Sequence, residues 1–224
     1  MIHSNAAIIN TQQATCFEVD KRIAYHQAGH AAAIYLGNKQ KQLPAVHFQI
    51  IIKPKEHEGQ QSDRFARTHG KYSAKIEGGR LIQSLPLSFA EATQYFSWPQ
   101  QEECLRAFEA DVINLLAGSL SEAKYLACRD GEDFNPHLIN LGALHFYGGS
   151  SDLGVITEYM ECFMLNKAER NQKLAELFWA AFSFVNNPSN WYAISALAEF
   201  ILDEPRDIIH CEDIISLLES RLAA

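Results

Sequence analysis

The pentapeptide His26-Gln27-Ala28-Gly29-His30 holds the side chains best suited to chemistry. Two histidines four apart on a helix share one face, with Cβ atoms about 6 Å apart. Both imidazoles can then reach one metal ion at about 2.0–2.1 Å each. In the hydrolytic form of this pattern, H-E-x-x-H, the Glu takes the proton of a metal-bound water. Gln27 stands at that position, and an amide is far too weak a base for the task. The stretch keeps a seat for a metal and lacks the general base.

The elements that position these residues follow from local signals. Asp20 is a good N-cap and Gly37 a good stop, which predicts a helix over 21–36 with Ile23, Ala31, Ile34 and Tyr35 helping to bury it. His26 and His30 sit mid-helix, and buried polar groups require partners. Alternation of Val46, Phe48, Ile50 and Ile52 predicts a strand. A second strand is expected near 71–76, inside a connection over 53–80 rich in Lys, Arg, His and Gly that reads as a solvated face. Ser88 and Glu91 predict a short helix over 89–96.

Ser97, Pro99 and Gln100 open a long helix whose buried face carries Leu105, Phe108, Val112, Leu115, Leu116 and Ala117. Gly118 marks either a kink or a close contact, and Gly131 a stop. A loop over 129–149 leads to a helix from Ser150 to about 166, with Asp152 favoured in its first turn by the exposed N–H groups. Helices follow over 168–185, from a Ser189 cap to about 202, and over 212–222. The expected fold is mainly α with a small β-sheet: one domain over 18–224 after a loosely held arm, 1–17.

Composition narrows the function classes. A net charge of −8 argues against general nucleic-acid binding. The five cysteines are scattered and odd in number, which points to free thiols in a reducing compartment. No run is apolar enough for a membrane span, and no secretory signal pattern opens the chain. A soluble, cytoplasmic protein is expected. No glycine-rich phosphate loop of the nucleotide-motor type occurs. The aromatic set Phe178, Trp179, Phe182, Phe184, Trp191 and Tyr192 reads as core or a helix–helix interface.

The order of several segments resembles the peptidase domain of the FtsH-type AAA zinc metalloprotease family. Arg22 to Ala31 is similar to that family's YHEAGHA helix, and Phe48 to Lys55 to the strand that follows it. The stretch Ala117 to Ala123 resembles its GGRxAEE helix, and Gly148 to Thr157 its GASNDLxxAT segment. Leu197 to Leu202, then Ile209 to Leu217, resembles its C-terminal helix pair. The resemblance covers most of 18–222. It implies zinc held by His26, His30 and Asp152, with water as the fourth ligand. The partners it implies are a peptide or protein, such as an AAA-type protease or another copy of the chain.

The departures bear on activity. Gln27 replaces the catalytic Glu, and Ser119 and Ala123 replace the Arg and second Glu of GGRxAEE. The motor domain and membrane anchor of that family have no counterpart in these residues. Three readings stay open. One is a peptidase-like protein that keeps zinc, hydrolyses little or nothing and acts by binding. Another is an active metallopeptidase in which Glu122 or Glu158 supplies the base. The third is a metal-free structural domain with His26 and His30 as core histidines. His145, seven residues before Asp152, is a further weak candidate for the metal.

Overall fold

The computed structural model describes residues 19–54, 72–86, 88–203 and 206–222. The expected 1–17 arm and most of the 53–80 connection lie outside the described residues. The described chain is mainly helical with one small antiparallel sheet.

Asp20 caps α1 (Lys21–Ala32), its Oδ1 accepting from the Arg22 N–H at 2.8 Å. Gly37 does not stop this helix. The backbone runs on as a π-turn over Ala33–Gly37 and ends in α2 (Asn38–Gln40). Gly37 keeps ordinary helical angles, φ −65°. Burial of Leu36 and Asn38 favours continuing, and Asn38 Oδ1 accepts from Asn114 Nδ2 at 3.5 Å. The turn comes instead at Gln42, at φ 54°, with the Leu43 N–H returning to the Asn38 carbonyl.

The sheet contains β1 (Phe48–Pro54), β2 (Tyr72–Gly78) and β3 (Ile208–His210) in the order β2-β1-β3. Ile50 stands opposite Ile76 on one side and Ile209 on the other. Phe48, Ile50 and Ile52 point into the core, as their alternation requires. Strand β3 was not expected; three residues are too few to display a period of two.

Helix α3 (Phe89–Ala92) is shorter than the expected 89–96, though Ser88 caps it. Helix α4 (Trp98–Asp130) opens with the expected Ser97–Gln100 capping box and ends at Gly131 in the left-handed conformation. It passes through Gly118 without interruption, so Gly118 is a contact residue. The 129–149 loop contains a 3-10 helix, Leu141–Tyr147. Helix α5 (Ser150–Phe163) ends three residues before the expected 166. Helices α6 (Lys167–Asn186), α7 (Pro188–Asp203) and α8 (Cys211–Leu222) complete the chain. Asn187, not Ser189, caps α7: its Oδ1 accepts from the N–H groups of Ser189 and Asn190, which places Pro188 at the favoured first helical position.

One core cluster joins α1 and the sheet to α7 and α8, and a second joins α4 to α5 and α6. Helices α1 and α4 cross between them at small residues. A Cβ on Gly29 would meet the Ala117 carbonyl at 2.6 Å. Phe178 and Phe182 are buried as expected, but Trp179 and Tyr192 are about half exposed, at 50% and 52%. Each points off the opposite side of its helix from the buried neighbours, so helical phase, not aromatic type, decides their fate. Cys104, Cys128, Cys162 and Cys211 are free thiols. No described helix is long and apolar enough to cross a membrane.

Candidate metal centre

His26 and His30 project from one face of α1, and their rings lie 4.7 Å apart at 68°. Asp152 reaches them from the first turn of α5. His26 Nε2 lies 3.2 Å from Asp152 Oδ2, and His30 Nε2 lies 3.4 Å from the same oxygen. Ligands held at about 2.0–2.1 Å around a tetrahedral ion stand about 3.3–3.4 Å apart, so these separations are close to the edges of such a site. One ligand atom from each of the three residues lies within 4.8 Å of the others.

The far side of each ring is fixed. His26 Nδ1 is 3.2 Å from Glu122 Oε2, and His30 Nδ1 is 2.8 Å from the Asn114 carbonyl. The carbonyl is acceptor only, so His30 Nδ1 donates to it, and Nε2 is the nitrogen that faces Asp152. A carboxylate or carbonyl behind each imidazole is the usual outer shell of a metal-binding histidine. Glu122 is itself held by Arg22, whose Nε donates to Oε1 at 2.7 Å. The residues present fit a divalent ion: two imidazoles, one carboxylate and a cavity beside them.

Three glycines admit this arrangement. A Cβ on Gly118 would overlap the His30 ring. Gly148, at φ +70°, lies where a Cβ would come within 3.0 Å of both Glu122 Oε2 and His26 Nδ1. Its neighbour Gly149 packs on the Ser119 hydroxyl and the Leu144 carbonyl. The Gly148-Gly149 turn lets the start of α5 settle on the α1–α4 pair and so brings Asp152 to the histidines.

Burial acts to lower the His26 pKa, but hydrogen bonds to Asp152 and Glu122 outweigh it and raise the group to about 9. Burial pushes Asp152 up, and its bonds to His26 and His30 outweigh that in turn, holding the carboxyl well below the usual range. A pH dependence follows for chelator-treated protein. The folded pKa of His26 exceeds the ordinary 6.5. Its stabilisation is therefore full below pH 6.5 and lost as pH rises through about 9, a change on the order of 3 kcal/mol. Thermal unfolding in chelator should show a lower midpoint at pH 9.5 than at pH 6.5. A divalent ion held on His26 should reverse the trend, because its binding would displace the His26 proton and tighten as pH rises toward about 9.

The three residues expected to hold a metal are thus brought together. Gln27 is half-buried and turned to the sheet: its Oε1 accepts from the Ile76 N–H of β2 at 2.8 Å. Glu122 is occupied by Arg22 and His26, which leaves it no part as a free base. Glu158 is exposed and does not line the cavity. His145 points to Ser150, Nδ1 to Oγ 3.3 Å, and is not in the cluster. Sequence reasoning missed Arg22 and Asn114, although Arg22 lies one helical turn before His26 and so on its face. A cavity of about 730 Å³ is walled by the cluster on one side and by Ser73 to Gly79, β2 and the residue after it, on the other. Asp111 lies in the same wall, where its carboxylate accepts from the N–H groups of Leu81 and Ile82 and from the Tyr159 hydroxyl. It ties the segment after β2 to α4.

Removing the carboxylate behind His26 tests the outer shell. Glu122→Ala should weaken zinc binding by about 10–100-fold, the usual cost of losing such a partner. Competition against a chromogenic chelator measures it. No family model matches the chain, and no curated protein matches it.

Proposed function

We propose that this chain is an FtsH-type peptidase-like domain that holds zinc on His26, His30 and Asp152 and binds extended polypeptide with little or no hydrolysis. The observation that carries the reading is the convergence of two Nε2 atoms on one carboxylate while both Nδ1 atoms are tied from behind. When bound, the metal would polarise a water or a carbonyl oxygen in the cavity. Hydrolysis also needs a base, and the amide of Gln27 cannot serve. The partner is a peptide or protein segment; an AAA-type protease and a second copy of the chain are the two sources to test.

Fluorescein-labelled, unfolded casein tests the reading. The zinc-loaded protein should raise its anisotropy and leave it intact on a gel, and Asp152→Ala should weaken the binding. Cleavage by the wild-type chain, stopped by chelator, would instead make it an active metallopeptidase.

A second reading rests on the short His26–Asp152 and His26–Glu122 contacts, which satisfy one another without an ion. In it the triad is a structural ion-pair network and zinc has no place. Protein that takes up no zinc would favour it.

A further inference from the structure

Strand β2 has two edges. One pairs with β1, and Gly79 N donates to the His47 carbonyl on that side at 2.9 Å. Backbone groups alternate along an antiparallel strand, so Ser73, Lys75, Glu77 and Gly79 face β1 and Tyr72, Ala74, Ile76 and Gly78 face outward. That outer edge forms a wall of the cavity containing His26, His30 and Asp152. Val19 forms a parallel bridge with Tyr72, and the Gln27 side chain accepts the Ile76 N–H.

We infer that Gln27 caps the outer edge of β2 and competes with an extended polypeptide for the Ile76 N–H. The occupant follows from the chemistry of the cap. The Gln27 group is a carboxamide, and its carbonyl lies where the carbonyl of an added strand would accept. The edge therefore selects a peptide group, presented in extended conformation. Ile76 lies between Ala74 and Gly78, the two other outward positions inside the cavity wall. A polypeptide pairing continuously along this edge must displace the amide. The residue that departs from H-E-x-x-H thus regulates access to the strand as well as lacking basicity.

The inference rests on the polypeptide-binding reading above, and the test separates the two. Gln27→Met keeps the length of the side chain and removes the carbonyl, and Gln27→Ala removes both. Amide hydrogen exchange at Ile76 and anisotropy with fluorescein-labelled unfolded casein are compared with the wild type, all three zinc-loaded. The Ile76 amide should exchange faster in both variants and regain protection when casein is added. Casein should bind about two- to tenfold more tightly, the span set by the net worth of one hydrogen bond. Unchanged Ile76 exchange overturns the cap, whatever casein does. Faster exchange with equal or weaker casein binding overturns the competition. Casein that binds none of the three proteins overturns the polypeptide-binding reading itself, and this inference with it.

Discussion

Gln27→Glu is expected to raise cleavage of unfolded casein by about 10²–10⁴-fold, the usual contribution of a general base. The substitution changes one terminal group and nothing in size. In the free protein one carboxylate oxygen can accept the Ile76 N–H, as Gln27 Oε1 does at 2.8 Å, and give it up to a bound polypeptide. The other replaces the amide nitrogen in a cavity shared with His26, His30 and Asp152. The gain should vanish in chelator and in the double variant with His30→Ala. Release of dye from heavily labelled casein measures it. A Gln27→Glu protein that binds zinc and still cleaves nothing would show that the departures beyond residue 27, such as Ser119 and Ala123, also disable catalysis.

Gly118→Ala should remove metal binding and destabilise the fold together. The added Cβ would overlap three atoms of the His30 ring: Nε2, Cε1 and Cδ2. The ring has no free direction, because Nδ1 is held at 2.8 Å by the Asn114 carbonyl and the residue is buried. Either α1 and α4 separate or His30 leaves its rotamer. Overpacking of this kind costs about 1–3 kcal/mol. It also displaces His30 from the position that sets the 3.4 Å separation from Asp152. Urea unfolding in chelator isolates the packing cost, and zinc titration the loss of the site. Full zinc affinity in Gly118→Ala would mean that His30 is not a ligand.

Much of the site was legible because its parts are local. His26 and His30 lie one turn apart, so helical geometry alone aligns them. Asp20, Ser97 and Gly131 are read from capping rules, and the chain obeys them. Asp152 was reached only through the resemblance. No spacing rule connects it to His26 and His30, 126 and 122 positions earlier, and the Gly148-Gly149 turn that delivers it is visible only in three dimensions.

The misreadings share a cause. Gly37 carries the composition of a stop, yet burial of Leu36 and Asn38 outweighs its preference and the helix continues. Glu122 was one candidate for a rescuing base, but Arg22 and His26 claim it from α1, about a hundred positions away. Gln27 stands out in the sequence as a missing base. Its bond to β2 depends on a strand 49 residues on, and no feature of the helix announces it.

Whether the chain holds a metal decides between a zinc site and an ion-pair cluster. Elemental analysis of the purified, zinc-supplemented protein, with His26→Ala and Asp152→Ala beside it, asks this directly. About one zinc per wild-type chain is predicted by the single three-residue site, and neither variant should retain it. A wild-type protein without metal, or variants that keep it, would contradict a zinc site on His26, His30 and Asp152 and leave the His26–Asp152–Glu122 network as an ion-pair cluster within the fold.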